Sequence, residues 1–356
     1  MKGLVLAGGH GTRLRPLTFT GNKHMLPVAN RPILYYALQN LADAGIHDVA
    51  IVLGPIHEGI REAIGDGASF GLNVKYIFQG EPKGLAHAVL CSRKFLESEP
   101  FLMHLGDNLL QSGVGQFLSR YETDRPDAVV GATRVAHPEH YGVVELSQGR
   151  IVSIEEKPSH PKSHLALIGV YLFTESIHKV IRRLAPSPRG ELEITEAIWQ
   201  LCASGRNVSV LDVQGWWKDT GHPNDLLEAN ELTLRSLPPA SFVNQGSVSA
   251  GVTIEGAIGI GPGTIVEPGV HLIGPTLIGS NARIRSGSRI GPYSAIGNLA
   301  VVSRGSVRRS IVMDGAFIDS VAIANSLVGR NVEIRASEPT GKEVTLTIGD
   351  SSRVAL

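Results

Sequence analysis

The sequence is short of everything that would place it outside the cytoplasm or on a polyanion. Its 356 residues include two cysteines, Cys91 and Cys202, far apart, in apolar segments and at no metal-ligand spacing. That excludes a disulfide framework and a thiolate metal site. Lysine plus arginine total 33 and aspartate plus glutamate total 33, so no net field draws in nucleic acid or an anionic membrane, and any anion must be held by local groups. No run approaches the roughly 18 apolar residues of a membrane span, and the first residues lack the basic region, apolar core and small-residue cleavage site of a secretion signal. The expectation is a soluble, cytoplasmic protein with neither nucleic acid nor membrane as a partner. The glycine-rich start also lacks two things. No Gly-Lys-Ser/Thr follows, so it is not a Walker loop. Leu14 stands where a dinucleotide fingerprint needs its third glycine, and Pro16 disfavours an immediate helix.

What the start does have is an apolar strand, KGLVLA, then GGHGTRLRPLT and Lys23-His24-Met25-Leu26-Pro27. Gly8, Gly9 and Gly11 let backbone N–H groups close around phosphate oxygens, and Arg13, Arg15 and Lys23 supply the neutralising charge. A bare Gly-x-Gly is often only a turn. With Arg13 and Lys23 it reads as a nucleoside triphosphate site.

Two periodicities divide the chain. Strand-like runs at 2–7, 49–54, 74–79, 101–106, 127–135 and 165–173 alternate with helical patterns at 32–44, 84–96, 114–122, 175–185 and 193–204. Several of the strands are continuous apolar runs, which suits burial on both faces of a largely parallel sheet. Segment 142–156 reads as a hairpin turning at Ser147-Gln148-Gly149. After a helix at 223–236, Pro238-Pro239 breaks the pattern. Aliphatic residues then recur every sixth position: Ile254, Ile260, Val266, Leu272, Ile278, Ile284, Ile290, Ile296 and Val302. Neither a helix nor an ordinary strand has that period. It is an internal hexapeptide repeat and resembles a left-handed parallel β-helix. Arg308 ends the strict register. Ile311, Ile318, Ile323 and Leu327 continue it loosely, and EVTLTIG at 343–349 reads as a strand capping the open end. The expected domains are 1–237, an α/β, Rossmann-like unit, and 238–356, the β-helix.

Four groups outside the glycine loop carry further chemistry. Asp107 ends the apolar strand FLMHLGDN, at the sheet edge where a carboxylate holds a hard cation, and Asp219 sits in GWWKDTG; each alone also fits a simple turn. Gln79 leads QGEPKGLAHA. Its amide is both donor and acceptor, which suits a pyrimidine edge, and Gly84 lets a base approach backbone; an ordinary Pro/Gly turn is the plainer alternative. Glu155-Glu156-Lys157-Pro158 and Arg189-Gly190-Glu191-Leu192-Glu193-Ile194-Thr195 read either as solvated surface, the second also as a helix entry, or as grips for a phosphorylated sugar.

In order along the chain, LAGGHGTRLRPLT…KHMLPV, QGEPKGLAHA, LGDN, YGVVE, EEKP and WKDTG resemble the sugar-1-phosphate nucleotidylyltransferases, over essentially residues 1–235. Within them the sequence is similar to the longer glucose-1-phosphate thymidylyltransferases, which add a hexapeptide tail. WWKDTG in place of WLDTG, and Arg31 where lysine is commoner, are mild departures. The resemblance implies that dTTP and α-D-glucose 1-phosphate give dTDP-glucose and pyrophosphate. The sugar phosphate is its own nucleophile, and no Ser-His-Asp or Cys-His set is apparent. By the same resemblance, Gly8, Gly9, Gly11, Thr12, Arg13 and Lys23 bind the triphosphate, Gln79 and Gly84 read the base, and Asn108 lies against the nucleotide. Asp107 and Asp219 hold Mg²⁺, and Tyr141, Gly142, Glu156, Lys157 and Arg189 hold the sugar phosphate. The catalytic set is Arg13, Lys23, Asp107 and Asp219. Three alternatives stand beside it. One is a UTP-dependent uridylyltransferase on glucose 1-phosphate or another sugar 1-phosphate. The second is an acyltransferase in the tail, where only His271 could serve as base. The third is a non-catalytic nucleotide sensor. A homo-oligomer built through the β-helix is expected.

Overall fold

The computed structural model describes residues 1–338 and 341–356. The chain forms two compact units, Met1–His10 with Leu34–Asp219, and Gly11–Ile33 with Thr220–Leu356.

The first unit is built on a nine-stranded sheet. Its strands are β1 (Lys2–Ala7), β2 (Asp48–Leu53), β3 (Asn73–Phe78), β4 (Phe101–Leu105), β6 (Ala128–Arg134), β7 (Gly142–Ser147), β8 (Arg150–Glu156), β9 (Leu165–Phe173) and β10 (Val208–Asp212), while β5 (Asn108–Leu110) and β11 (Trp217–Asp219) pair separately. The order is β8-β7-β9-β4-β1-β2-β3, with β6 between β9 and β10. Strands β4, β1, β2 and β3 run parallel, and β9 is antiparallel to its neighbours. β1 and β2 are buried along nearly their whole length, as their unbroken apolar sequences require. β9 exchanges one neighbour for another partway along: Ala166 pairs with Val143 of β7, whereas Val170–Phe173 pair with β4. The change falls at Gly169, whose φ is +74° and where a Cβ would strike the Leu105 side chain at 2.6 Å. Only glycine fits such a bend.

Helices α1 (Ile33–Asp43), α2 (Glu58–Ile64), α3 (Leu85–Cys91), α4 (Arg93–Leu96), α5 (Gly115–Asp124), α6 (Ser176–Ile181) and α7 (Ile194–Ala203) cover the sheet. The pattern at 84–96 predicts one helix, but two form. Buried Ser92 turns its hydroxyl onto the Ala88 carbonyl at 2.8 Å, a back-bond that competes with the helical ladder. Strands β5, β10 and β11 and helix α2 are too short or too polar to register as periodic segments. Among the described residues no helix is long and apolar enough to cross a membrane.

The second unit is the left-handed parallel β-helix with α8 (Pro223–Ser236) and segment Gly11–Ile33. Three inward columns fill it: Val248, Val266, Ile284, Val302, Ile318, Ile334 and Val354; Ile254, Leu272, Ile290, Val307 and Ile323; and Ile260, Ile278, Ile296, Val312, Val328 and Ile348. The nine sequence hits are all interior positions, though Ile254, on the first coil, is 48% exposed.

Two expectations for the far end are corrected. The interior residues there are Val312 and Val328 rather than Ile311 and Leu327, because coils beyond Val302 shorten and shift the register. Ile311 and Leu327 point the other way and are nevertheless fully buried. EVTLTIG does not lie across the end as a strand. Val344 bridges to Ile323 and Thr347–Ile348 pair with Leu327–Val328, so it makes a further coil that Arg353–Ala355 extends.

The outer face of the third column is covered from within the same unit. α8 packs against Ser294–Ile296, and Asn30 Nδ2 donates to the Ile296 carbonyl at 2.7 Å. Asn230 of α8, 1% exposed, accepts from the Ala29 N–H at 2.8 Å and donates to the Tyr293 carbonyl at 3.1 Å. Farther along, Thr20 donates to Asp350 at 2.7 Å, and Arg330 to the Met25 carbonyl at 3.4 Å.

His104, on β4, is fully buried with Nδ1 donating to the Leu105 carbonyl at 2.7 Å. Burial lowers its pKa from 6.5 to about 4. The unfolded chain therefore takes up this proton first. The contribution to stability is complete above the ordinary histidine pKa and is lost as pH falls from there through 4, to a total of about 3 kcal/mol. Urea unfolding of wild type and His104→Gln at pH 7 and pH 4 should show the wild type losing that much more stability than the variant. Parallel losses would remove His104 as the source.

Candidate active site

In the first unit, Asp107 and Asp219 come together through the small β5–β11 sheet, in which Asp219 pairs with Asn108, the residue after Asp107. Asp107 lies at the turn where the chain leaves the main sheet, since Gly106 N–H still bonds to Leu6 of β1 at 2.9 Å, and Asp219 ends β11. Asn108 is 2% exposed, and its amide is spent within the protein. Nδ2 donates to Asp107 Oδ1 at 3.0 Å, and Oδ1 accepts from Trp217 Nε1 at 2.6 Å. Asn108 thus orients a carboxylate. Among the described residues no group of three or more His, Cys, Asp or Glu could hold a metal. The donors offered are two carboxylates, one just before β5 and one ending β11, which suits a hard cation that takes its remaining ligands from phosphates and water.

The sugar-binding candidates gather at the β7–β8 hairpin and the N-terminus of α7. Tyr141 packs edge-on against Trp217, with ring centroids 5.2 Å apart, and its carbonyl accepts from Lys157 N–H at 3.0 Å. Gly142 has no room for a side chain, because a Cβ would meet Thr195 Cγ2 at 2.6 Å and Glu156 Oε2 at 3.3 Å. Arg189 is held by Glu156 and Glu191, each at 3.3 Å, and by Glu193 at 3.6 Å. Burial opposes the guanidinium charge, but Glu193, Glu191 and Glu156 outweigh it and its pKa is raised. Burial likewise raises the pKa of Glu193. A cavity of about 460 Å³ opens here, lined by Glu156, Arg189, Glu193 and Thr195 among others. The Thr195 hydroxyl is buried in it without a hydrogen-bond partner. Sequence reasoning included Glu193 and Thr195 in a candidate segment but gave neither a role of its own. In ELEIT they look like the start of a helix, and only the fold turns them inward.

Gln79 follows β3, with Nε2 donating to the Gly84 carbonyl at 3.0 Å. Gly84 has φ +98°, and a Cβ there would lie 2.4 Å from the Leu192 carbonyl oxygen. Its neighbours clamp that residue: Ala86 N–H donates to Leu192 at 3.1 Å, and Leu192 N–H to Lys83 at 2.8 Å. Gly84 is therefore glycine for a backbone crossing. Gly8 closes on Gly54, where a Cβ would strike the Gly8 oxygen at 2.3 Å. Sequence reading gave Gly54 no role, and an isolated glycine at a strand end offers little signal.

In the second unit, Gly11 caps the short turn Thr12–Leu14 at φ +66°, and a Cβ there would meet Lys23 Cβ at 2.9 Å. Arg13 Nη1 lies 3.2 Å from His222 Nε2, the residue preceding α8. The structure thus places Gly8, Gly9, Gln79, Gly84, Asp107, Asn108, Tyr141, Gly142, Glu156, Lys157, Arg189 and Asp219 in one unit, and Gly11, Thr12, Arg13 and Lys23 in the other.

A nucleotide-handling α/β unit joined to a hexapeptide solenoid is what the comparisons with known proteins return. Residues 2–236 match the nucleotidyl transferase family model and residues 257–292 the bacterial transferase hexapeptide model, and the chain belongs to the nucleotidyl transferase family. It is similar over its whole length to a glucose-1-phosphate thymidylyltransferase of Streptomyces griseus, at 44% identity and covering 99% of that protein. A low-salt glycan biosynthesis nucleotidyltransferase of Haloferax volcanii, Agl11, is 39% identical with both chains fully covered. Among solved structures, a UDP-glucose pyrophosphorylase complexed with UDP-glucose superimposes with a TM-score of 0.60 at 28% identity, over 66% of this chain and 99% of that one.

The crossing at Gly84 generates a direct test. Gly84→Ala should destabilise the protein by at least about 1–3 kcal/mol from the backbone conformation alone, with the Leu192 clash added. A urea midpoint equal to that of wild type would show that residues 83–86 do not lie against Leu192.

Proposed function

We propose that this chain transfers the thymidylyl group of dTTP to α-D-glucose 1-phosphate, releasing pyrophosphate and dTDP-glucose. The observation that carries this reading is the β5–β11 pairing, which brings Asp107 and Asp219 together with Asn108 hydrogen-bonded to the first of them. The full-length similarity to the Streptomyces griseus enzyme supports the choice of nucleotide and sugar.

The sugar phosphate oxygen attacks the α-phosphorus in line while pyrophosphate leaves. No protein nucleophile is required, so the residues act by bringing two anions together and by stabilising the developing charge. Arg13 and Lys23 neutralise the triphosphate, with backbone donors from Gly8, Gly9, Gly11 and Thr12. His222 accepts from Arg13 and holds its guanidinium in place. Gln79 reads the base. Asp107 and Asp219 would hold Mg²⁺, whose charge, when bound, offsets that of the phosphates of both substrates. Asn108 orients Asp107 for that role. Lys157 and Arg189 bind the sugar phosphate, Tyr141 and Gly142 line its site, and Glu156 meets sugar hydroxyls. Because three carboxylates hold Arg189, an arriving phosphate exchanges one set of charge-assisted bonds for another.

UTP is the second reading, favoured by the likeness to the UDP-glucose pyrophosphorylase. A thymine methyl is worth only about 1–3 kcal/mol in an apolar pocket. A coupled pyrophosphate assay over dTTP, UTP and the other triphosphates with a panel of sugar 1-phosphates separates the two, and no pyrophosphate from any pair would overturn both. The two free thiols suit a cytoplasmic setting. The β-helix also serves association of copies in this reading, and a monomeric mass at micromolar concentration would remove that role.

Lys23→Ala should lower kcat by roughly 10²–10³, the scale for one transition-state charge stabiliser; a near-normal kcat would take Lys23 off the catalytic list. Asp107→Asn and Asp219→Asn should each raise the Mg²⁺ concentration needed for half-maximal activity. A variant that keeps the wild-type titration has not lost a metal ligand.

A further inference from the structure

Both hydrogens of the Gln79 amide nitrogen are used inside the protein. Nε2 lies 3.0 Å from the Gly84 carbonyl oxygen and 3.2 Å from His87 Nδ1. A carbonyl only accepts, so the nitrogen of the amide, and not its oxygen, must face Gly84. His87 Nδ1 is then the acceptor for the second hydrogen. That places the ring proton on Nε2, which sits 3.7 Å from the weakly accepting sulfur of Cys91. Burial, with Lys83 adding to it, keeps the imidazole below its ordinary pKa and so in the neutral form this arrangement needs. What Gln79 has left to offer is Oε1, which lies beside the glycine loop: a Cβ on Gly8 would be 3.3 Å from it.

We propose that His87 is a positioning residue that turns Gln79 into an acceptor-only reader of the base. Among pyrimidines this selects those that present a ring N–H, the N3–H of thymine or uracil. With Oε1 facing ring position 3 it disfavours cytosine, whose N3 is itself an acceptor and whose only Watson–Crick-edge donor is the exocyclic N4–H₂ to one side. The inference rests on the reading above that Gln79 meets the nucleobase. It adds that the direction of that contact is set one residue further back, by a histidine that touches neither substrate. This contact treats dTTP and UTP alike, since both carry the same N3–H.

The test uses the full-length protein and kcat and KM for dTTP and dCTP with glucose 1-phosphate. His87→Leu and His87→Phe remove the acceptor, and two shapes are used so that a folding failure of one leaves the other. His87→Asn keeps an acceptor oxygen where Nδ1 stood. Leu and Phe should raise the KM for dTTP about fivefold to tenfold, the scale of one hydrogen bond. They should shrink the dTTP-to-dCTP ratio of kcat/KM by a similar factor and leave kcat for dTTP little changed. Asn should restore both values to within about twofold of wild type. A KM and ratio unchanged in the apolar variants, or an Asn variant no better than Leu, would overturn the role of His87. Gln79→Met is assayed alongside. If it binds dTTP as wild type does, the base contact itself fails, whereas a weakened Gln79→Met with unaffected His87 variants condemns the positioning inference alone.

Discussion

The arrangement of the second unit depends on one buried amide. Asn230 of α8 accepts from Ala29 and donates to Tyr293, so a single side chain ties the helix, the segment bearing Arg13 and Lys23, and the solenoid wall. Ala29 and Asn30 form the turn of a tight hairpin at φ +48° and +59°, a conformation that alanine adopts at a cost. The strained Ala29 N–H would be an orphan donor without Asn230, and Asn30 spends its own side chain on Ile296. A buried amide satisfied at both ends is costly to disturb, because removing it leaves two backbone groups desolvated at about 1–3 kcal/mol each. The β-helix is therefore more than an appendage in this chain. It is the surface on which the cationic segment is laid out.

That explains the apparent irregularity in the repeat. Ile311 and Leu327 read as core positions because they are aliphatic at nearly the right spacing. They are fully buried on the opposite side of their strands. A free solenoid face would carry polar residues there. Two adjacent aliphatics, Ile311-Val312 and Leu327-Val328, mark strands buried on both faces.

How much was legible follows from the range of each interaction. The apolar strands, the hexapeptide period and α8 are local patterns, and the sequence reading places them within a few residues of their observed bounds. Asp107 and Asp219 were legible as residues, but their meeting was not. It depends on two three-residue strands, β5 and β11, one from the middle and one from the end of the first unit. The same holds for Gly84. A glycine in a Pro/Gly turn signals flexibility, while its actual constraint is the Leu192 backbone more than 100 residues away. Thr195 and Glu193 stood in a candidate segment but had no role of their own, for a third reason. Their segment is an ordinary start of a helix, and only the Gly142 strand passing close by turns them into cavity wall.

The chemistry asks little of proton transfer and much of placement, and the titratable groups agree. Burial drives the Cys202 thiol up to about 11 and also raises that of Cys91, so neither is a ready nucleophile. Buried His104 is neutral and tied to its own strand. The side chains given roles are instead locked by neighbours that do no chemistry. Asn108 holds Asp107 while Trp217 holds Asn108, and His222 steadies Arg13. His87 and Gly84 hold Gln79, and three carboxylates hold Arg189. For a displacement in which one substrate attacks the other, effective concentration and fixed charge are the available sources of rate. A site of that kind should devote its second layer to orientation, and nearly every residue the sequence reading missed belongs to that layer.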